Sequence, residues 1–336
     1  MPLGVPGGTF AKLAPVSTRA STPPVVAVVG ATASGKSALA LDLAQRLGGE
    51  IVNTDSMQVY RGMDIGTAKL PPHERRGIPH HLLDLLEVTE PATVAQFQGW
   101  ARDVIADCHR RDVTPVLVGG SALYVRAILD EFEFPGTDAG VRARLEEELA
   151  QVGAEAMHAR LVEVDPAAAG QMLPQNGRRV VRALEVIEIT GEPWTPTLPE
   201  QTYHYEGAVQ VGVDIERATL DARIERRVEE MWSAGFVDEV RGLAERGLRE
   251  GRTSHRALGY QQVLALIDGE ITEQQAMEQT VNRTRRFARR QDGWFRKDPR
   301  IHWVAHDDPE RVGKALEVIR PDPGVKRAVR DVGFTP

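Results

Sequence analysis

Eight consecutive residues restrict this chain more than any other feature. Gly30, Ala31, Thr32, Ala33, Ser34, Gly35, Lys36 and Ser37 satisfy G-x-x-x-x-G-K-[ST] at every fixed position. The apolar, β-branched run Val25-Val26-Ala27-Val28-Val29 precedes them and reads as a strand buried on both faces. A helical pattern from Ala38 to Leu47 follows, closed by Gly48-Gly49. Strand, glycine-rich loop and helix in this order make a phosphate cradle. The glycines let successive backbone N–H groups turn inward, and the helix start adds its positive dipole end. Lys36 supplies a full charge, and the Ser37 hydroxyl can ligate Mg²⁺. A plain glycine-rich turn would have to match the motif and both flanks by accident.

The same order recurs along the chain. Glu50-Ile51-Val52-Asn53 reads as a second strand ending before Asp55. A helical stretch from Val94 to Cys108 leads to a third clear strand, Pro115 to Val118. Gly119-Gly120 follows, and Ser121 opens a helix through Ile128. Repeated strand–loop–helix units imply an α/β fold with a parallel sheet. From 135 to 205 the pattern is helical only, over Val141–Gln151, Ala154–Val164 and Gly177–Thr190. The alternating run Ala208–Ile215 resumes the β signal, residues 218–297 read as amphipathic helices, and Ile301–Val304 as a last short strand. The expected organisation is therefore a P-loop core over 25–134 and 206–320, an all-helical insertion at 135–205, and C-terminal helices. Residues 1–24, with five prolines and no periodicity, read as a disordered tail.

Composition narrows the class of function. The 336 residues contain one cysteine, Cys108, which excludes an internal disulfide and any cysteine-cluster zinc site. A reducing cytoplasm is the expected setting. No apolar run approaches the ~20 residues of a membrane span. The formal net charge of -7 would seem to disfavour a nucleic-acid partner. Position matters more than the total. Between Asn282 and Arg300 eight residues are basic and two acidic, a local net of +6 with arginine predominant. Phe287 and Trp294 are interleaved there, and Arg178, Arg179 and Arg182 form a second cluster in the insertion. These runs read as nucleic-acid contacts; a solvated helix face with docked aromatics is the plainer alternative.

Two further loops reach the edge where parallel sheets bind ligands. Asp55-Ser56-Met57-Gln58 follows the second strand, and its carboxylate can serve a metal or act as a general base, or cap a turn. Gly119-Gly120-Ser121 follows the third, with a hydroxyl that can meet phosphate or simply cap the helix. The adjacent His80 and His81 diverge in direction and suit hydrogen bonding better than a shared metal.

Taken together, GATASGKS (30–37), NTDSMQVYRGMDIGTAK (53–69), PHHLLD (79–84), VLVGGSALY (116–124), RRVVRALEV (178–186), MWSAGFVDEV (231–240), ALGYQQ (257–262) and TRRFARRQDGWFR (284–296) resemble the tRNA dimethylallyltransferase family. The resemblance runs from about Val25 to Trp303. It implies transfer of a dimethylallyl group from dimethylallyl diphosphate to N6 of adenosine 37 in tRNA, with Mg²⁺, by a monomer. It implies that residues 30–37 grip the donor diphosphate, with Lys36 and Ser37 at phosphate and metal. Asp55 matches the family's general base and Arg227 an arginine linked to the diphosphate. Ser121 stands where the family usually has Thr, keeping the hydroxyl and losing the methyl. Asp55, Ser56, Met57, Gln58, Ser121, Arg142, Arg178, Arg179, Val180, Val181 and Arg182 match positions that touch tRNA. A small-molecule P-loop enzyme, either an ATP-using kinase or an adenylate isopentenyltransferase, is the alternative. Such an enzyme needs neither the insertion nor the basic segment. A non-catalytic RNA-binding protein leaves Lys36, Ser37, Asp55 and Arg227 together unexplained.

Overall fold

The computed structural model describes residues 22–194 and 200–320. Most of the tail read at 1–24, a short piece of the insertion and the chain after 320 lie outside the described residues. Six strands form one sheet: β1 (Val26–Val29), β2 (Glu50–Asn53), β3 (His80–His81), β4 (Pro115–Gly119), β5 (Val209–Asp214) and β6 (Ile301–Ala305). Their order is β3-β2-β4-β1-β5-β6, and every pairing is parallel. The helices are α1 (Lys36–Leu47), α2 (Val94–Arg110), α3 (Ala122–Leu129), α4 (Ala139–Val164), α5 (Pro166–Ala169), α6 (Gly177–Thr190), α7 (Arg217–Ser233), α8 (Phe236–Glu245), α9 (Tyr260–Ile267), α10 (Glu273–Phe295) and α11 (Arg311–Ile319).

β1 is apolar on both sides because it lies inside the sheet with a core on each face. Val26 and Val28 meet Leu39 and Leu43 of α1 and Ile319 of α11. Ala27 and Val29 belong to the opposite core, with Phe97 and Ile105 of α2 and Tyr260 of α9. Burying one such side chain is worth about 1.5–3 kcal/mol. All-parallel pairing puts the loops after β1, β2 and β4 at one edge of the sheet. α4, α5 and α6 pack around a cluster of their own, including Leu145, Met157, Leu161 and Leu184. α4 bends at Gly153, where φ is 85°, so the two expected helices meet there end to end. Among the described residues no helix is long and apolar enough to cross a membrane.

Two elements depart from the sequence reading. β3 is a two-residue strand in the His80-His81 loop, paired with Ile51 and Val52. α11 covers α1 and the outer strands beyond the last strand expected. The two histidines serve structure: His80 Nδ1 lies 2.8 Å from the Ile78 carbonyl and His81 Nε2 lies 2.7 Å from Glu50. Arg111 binds both Glu50 oxygens at 2.7 Å. Its hydrogen bonds, aided by His81, hold the Glu50 carboxyl down at about 2 against the effect of burial. Glu50, His81 and Cys108 cluster within 4.8 Å. The guanidinium already balances Glu50 in an ion pair, and burial pushes the Cys108 thiol up to about 11, which keeps it protonated beside that pair.

Candidate functional site

The 30–37 loop runs from the end of β1 into the start of α1. Ala33 and Gly35 take left-handed φ values of 63° and 97°, which curl the loop into the start of α1. Such a φ favours glycine, and Gly35 caps the helix. The Lys36 ammonium lies back over the loop, 3.2 Å from the Ala31 carbonyl. Loss of surrounding water, and next the Arg227 charge, lower its pKa, Asp55 opposes both, and the result is about 8. Arg227 is likewise lowered by burial, with Asp55 and Glu230 acting against it. Lys36, Arg227 and Asp55 are thus electrostatic neighbours, two cations to one carboxylate. An anion entering here would relieve both cations.

Asp55 is fixed by Asn53. The Asn53 side chain accepts the Asp55 N–H at 2.8 Å and donates to the carbonyls of Asp55 at 2.9 Å and Leu82 at 3.0 Å. Asp55 Oδ1 accepts the Met57 N–H at 2.9 Å, so the turn-capping reading is also realised. Its other oxygen makes no hydrogen bond among the described residues. Ser121 occupies the N-cap position of α3, yet its hydroxyl makes no capping bond.

Asp55, Ser121, Arg227 and Thr32 line one cavity of about 390 Å³. Ile224 and Val228 of α7, Leu258, and Phe287 of α10 give it an apolar side. The Arg61–Lys69 loop closes a further side through Gly66 and Thr67. That loop is held from α8, where the Glu239 carboxylate accepts the N–H groups of Asp64 (3.1 Å), Ile65 (2.6 Å) and Gly66 (3.2 Å), and the Tyr260 hydroxyl at 2.7 Å. Lys69 is buried between Asp64 and Asp84, 2.6 Å from each.

The expected RNA contacts divide. Ser56, Met57 and Arg178 line the same cavity, so the insertion contributes directly to it. Arg179 stays exposed and stacks on Trp194 at 5.4 Å. Gln58 turns away to donate to the Thr67 carbonyl at 3.1 Å. Val180 and Val181 are buried in the insertion's core, so their side chains face no solvent. Arg142 and Arg182 both bind Glu185, which is fully buried. In the basic segment, Arg285 binds Glu225 at 2.9 Å, Arg296 binds Asp214, and Arg300 binds Asp130 at 2.7 Å. Arg286, Arg289, Arg290 and Lys297 remain exposed.

Among the cavity and support residues to which the sequence reading gives no role are Gln291, Glu239, Arg252 and Arg256. The two arginines lie next to the ALGYQQ run, which was the available signal. The other two lie inside the runs 231–240 and 284–296, but their partners are far away in sequence, so the runs do not show what they bind.

This geometry has counterparts among known proteins. The profile of the IPP transferase family matches residues 58–298. The chain is 64% identical over 296 residues to a tRNA dimethylallyltransferase from Nocardioides sp., covering 88% of this chain and 96% of that protein. It is 59% identical to one from Thermobifida fusca, covering 88% and 94%. Among solved structures, the full-length tRNA isopentenylpyrophosphate transferase from Bacillus halodurans aligns with a TM-score of 0.64 at 40% identity, covering 88% of this chain and 94% of that one. A eukaryotic dimethylallyltransferase acting on tRNA aligns at 0.75 with 25% identity, covering 88% and 78%. With more than half its length matched by the family profile and such relatives beside it, the chain belongs to the IPP transferase family.

Proposed function

We propose that this chain transfers a dimethylallyl group from dimethylallyl diphosphate to N6 of adenosine 37 in the anticodon loop of tRNA, releasing diphosphate. One observation carries the reading: Asp55 shares a partly apolar cavity with Arg227 and lies in the field of Lys36. An exocyclic amine is a poor nucleophile, because its lone pair is delocalised into the ring. A carboxylate must accept its proton as the new bond forms. Asp55 has an oxygen for that task. The bond formed is N6 to C1 of the prenyl group, and the bond broken is C1 to the diphosphate oxygen. Negative charge gathers on the diphosphate, where Lys36, Arg227 and the unengaged N–H groups of the 30–37 loop stabilise it. The prenyl tail suits the side formed by Ile224, Val228 and Phe287. The adenine must leave its stack to reach this depth, as bases of a single-stranded loop can.

The donor set suits Mg²⁺. Ser37 is exposed in the first turn of α1, where its hydroxyl offers a hard oxygen beside the loop that would hold the diphosphate. Bound Mg²⁺ would supply further positive charge to the leaving diphosphate. The chain acts, in this proposal, as a monomer in the cytoplasm, with every named group on one polypeptide and Cys108 a free, buried thiol.

The test is incubation with labelled dimethylallyl diphosphate, Mg²⁺ and unmodified tRNA, run beside AMP in place of tRNA. Label in tRNA is the expected result. Label in AMP alone, or phosphoryl transfer from ATP, would overturn the assignment. Asp55→Ala should lower kcat by about 10²–10⁴-fold, with tRNA affinity changed by less than about twofold. Equal losses in both would remove the general-base role.

A further inference from the structure

The crevice between the ends of β1 and β4 is closed by a side chain from far along the sequence. β1 and β4 are neighbours, with Val29 opposite Gly119, so the cradle and the Gly120-Ser121 loop leave the sheet side by side. Gln291 of α10 sits between them and is 7% exposed. Its Oε1 accepts the Thr32 N–H at 2.8 Å, and its Nε2 donates to the Gly120 carbonyl at 2.7 Å. A Cβ at residue 120 would lie 2.2 Å from that nitrogen, so the close approach requires glycine. Thr284, Phe287 and Gln291 all line the cavity, at helical spacing on one face of α10.

We propose that Gln291 is a positioning residue for the transfer: its amide fixes the spacing between the diphosphate cradle and the Ser121 loop, and seats Phe287 beside both. The inference rests on the reading that residues 30–37 hold the donor diphosphate. A neutral amide is the group that satisfies both partners, since one end must accept and the other donate. A carboxylate would face the Gly120 carbonyl with no proton to give. An apolar side chain would leave the Thr32 N–H and the Gly120 carbonyl unpaired. With the Thr32 N–H tied to Gln291, the cradle presents its remaining amides to phosphate.

The test compares the full chain with Gln291→Ala, Gly120→Ala and the double variant. Thermal unfolding, kcat for transfer to tRNA, and KM for donor and tRNA are measured on each. Gln291→Ala should lower kcat by about 10–10²-fold, the scale of a small misplacement at a reacting centre. KM for tRNA should stay within about threefold. Gly120→Ala should give a similar kcat loss, because its methyl displaces the amide. The double variant should be no worse than Gln291→Ala, because the clash has gone. A folded Gln291→Ala with kcat within twofold of the parent, or losses that multiply in the double variant, would overturn the proposal. Should Gln291→Ala fail to fold, kcat of Gly120→Ala decides by the same twofold criterion. Absence of transfer by the parent chain would instead overturn the function proposed above, so the two failures are separable.

Discussion

The insertion and α10 are both rich in arginine, and in both the arginines split into two kinds. Arg142 and Arg182 converge on Glu185, while Arg178, one turn before Arg182, lies on the cavity wall. In and after α10, Arg285, Arg296 and Arg300 meet carboxylates brought from α7, β5 and the end of α3, while Arg286, Arg289 and Arg290 stay exposed. Counting arginines therefore overstates the charge available to a phosphate backbone. Acids distant in sequence neutralise part of the local +6. Elsewhere in the molecule, pKa shifts draw a similar contrast. Hydrogen bonds that Arg111 donates to Glu50, and next to Asp107, raise its pKa above the ordinary value. Burial lowers Lys36 and Arg227, which share one carboxylate. Cations of the first kind are bound by carboxylates, and Lys36 and Arg227 are not fully matched.

The largest expected effect tests the first kind. Glu185 is fully buried and bound by two guanidiniums. Removing one partner of a buried pair costs about 3–5 kcal/mol. Glu185→Ala should lower unfolding stability by that order in urea titration, with the loss localised to 139–190 by hydrogen exchange. Unchanged stability together with weakened tRNA binding would make Arg142 and Arg182 RNA ligands and end the comparison.

What sequence could reveal follows the range of each interaction. The cradle is local: eight residues, a strand before and a helix after. The parallel sheet was legible because β1 and β4 are short continuous apolar runs, β2 is a short run before Asp55, and β5 alternates. β3 has two residues, both histidine, and no period to detect. Asp55 and Ser121 were legible as residues placed after strands. Gln291 and Glu239 were not. Gln291 stood inside a segment read for its charge, and its partner Thr32 is 259 residues away. Glu239 meets its loop across 173 to 175 residues. The arginine split was hidden for the same reason, since pairing is a tertiary property.

The next effect concerns Lys36 and reaches about tenfold per pH unit. With a folded pKa of about 8, free protein loses this charge as pH rises through 8. KM for the donor should then climb above pH 8, and Lys36→Arg should flatten the rise, because guanidinium keeps its proton. Stability moves the other way. Below about 8 both folded and unfolded Lys36 are charged, and the fold carries the full burial penalty. Between about 8 and the ordinary value of 10.5 the unfolded chain binds more protons, so stability rises with pH across that window. A donor KM flat from pH 7 to 9.5 would show that Lys36 is not an uncompensated cation.

The smallest effect separates neighbours on one helix. Arg178→Ala removes a cation from the cavity wall, whereas Arg182→Ala removes one from a buried ion-pair node. A single phosphate contact contributes about one unit to the slope of log affinity against log salt. Arg178→Ala should weaken tRNA binding several-fold at low salt, reduce that slope by about one, and leave unfolding stability nearly unchanged. Arg182→Ala should lower stability and leave the slope intact at temperatures where the variant is folded. Binding curves at three or more salt concentrations decide it. Equal slopes for Arg178→Ala and the parent chain would place Arg178 with the structural arginines, and the RNA contact would then have to come from the exposed arginines of α10.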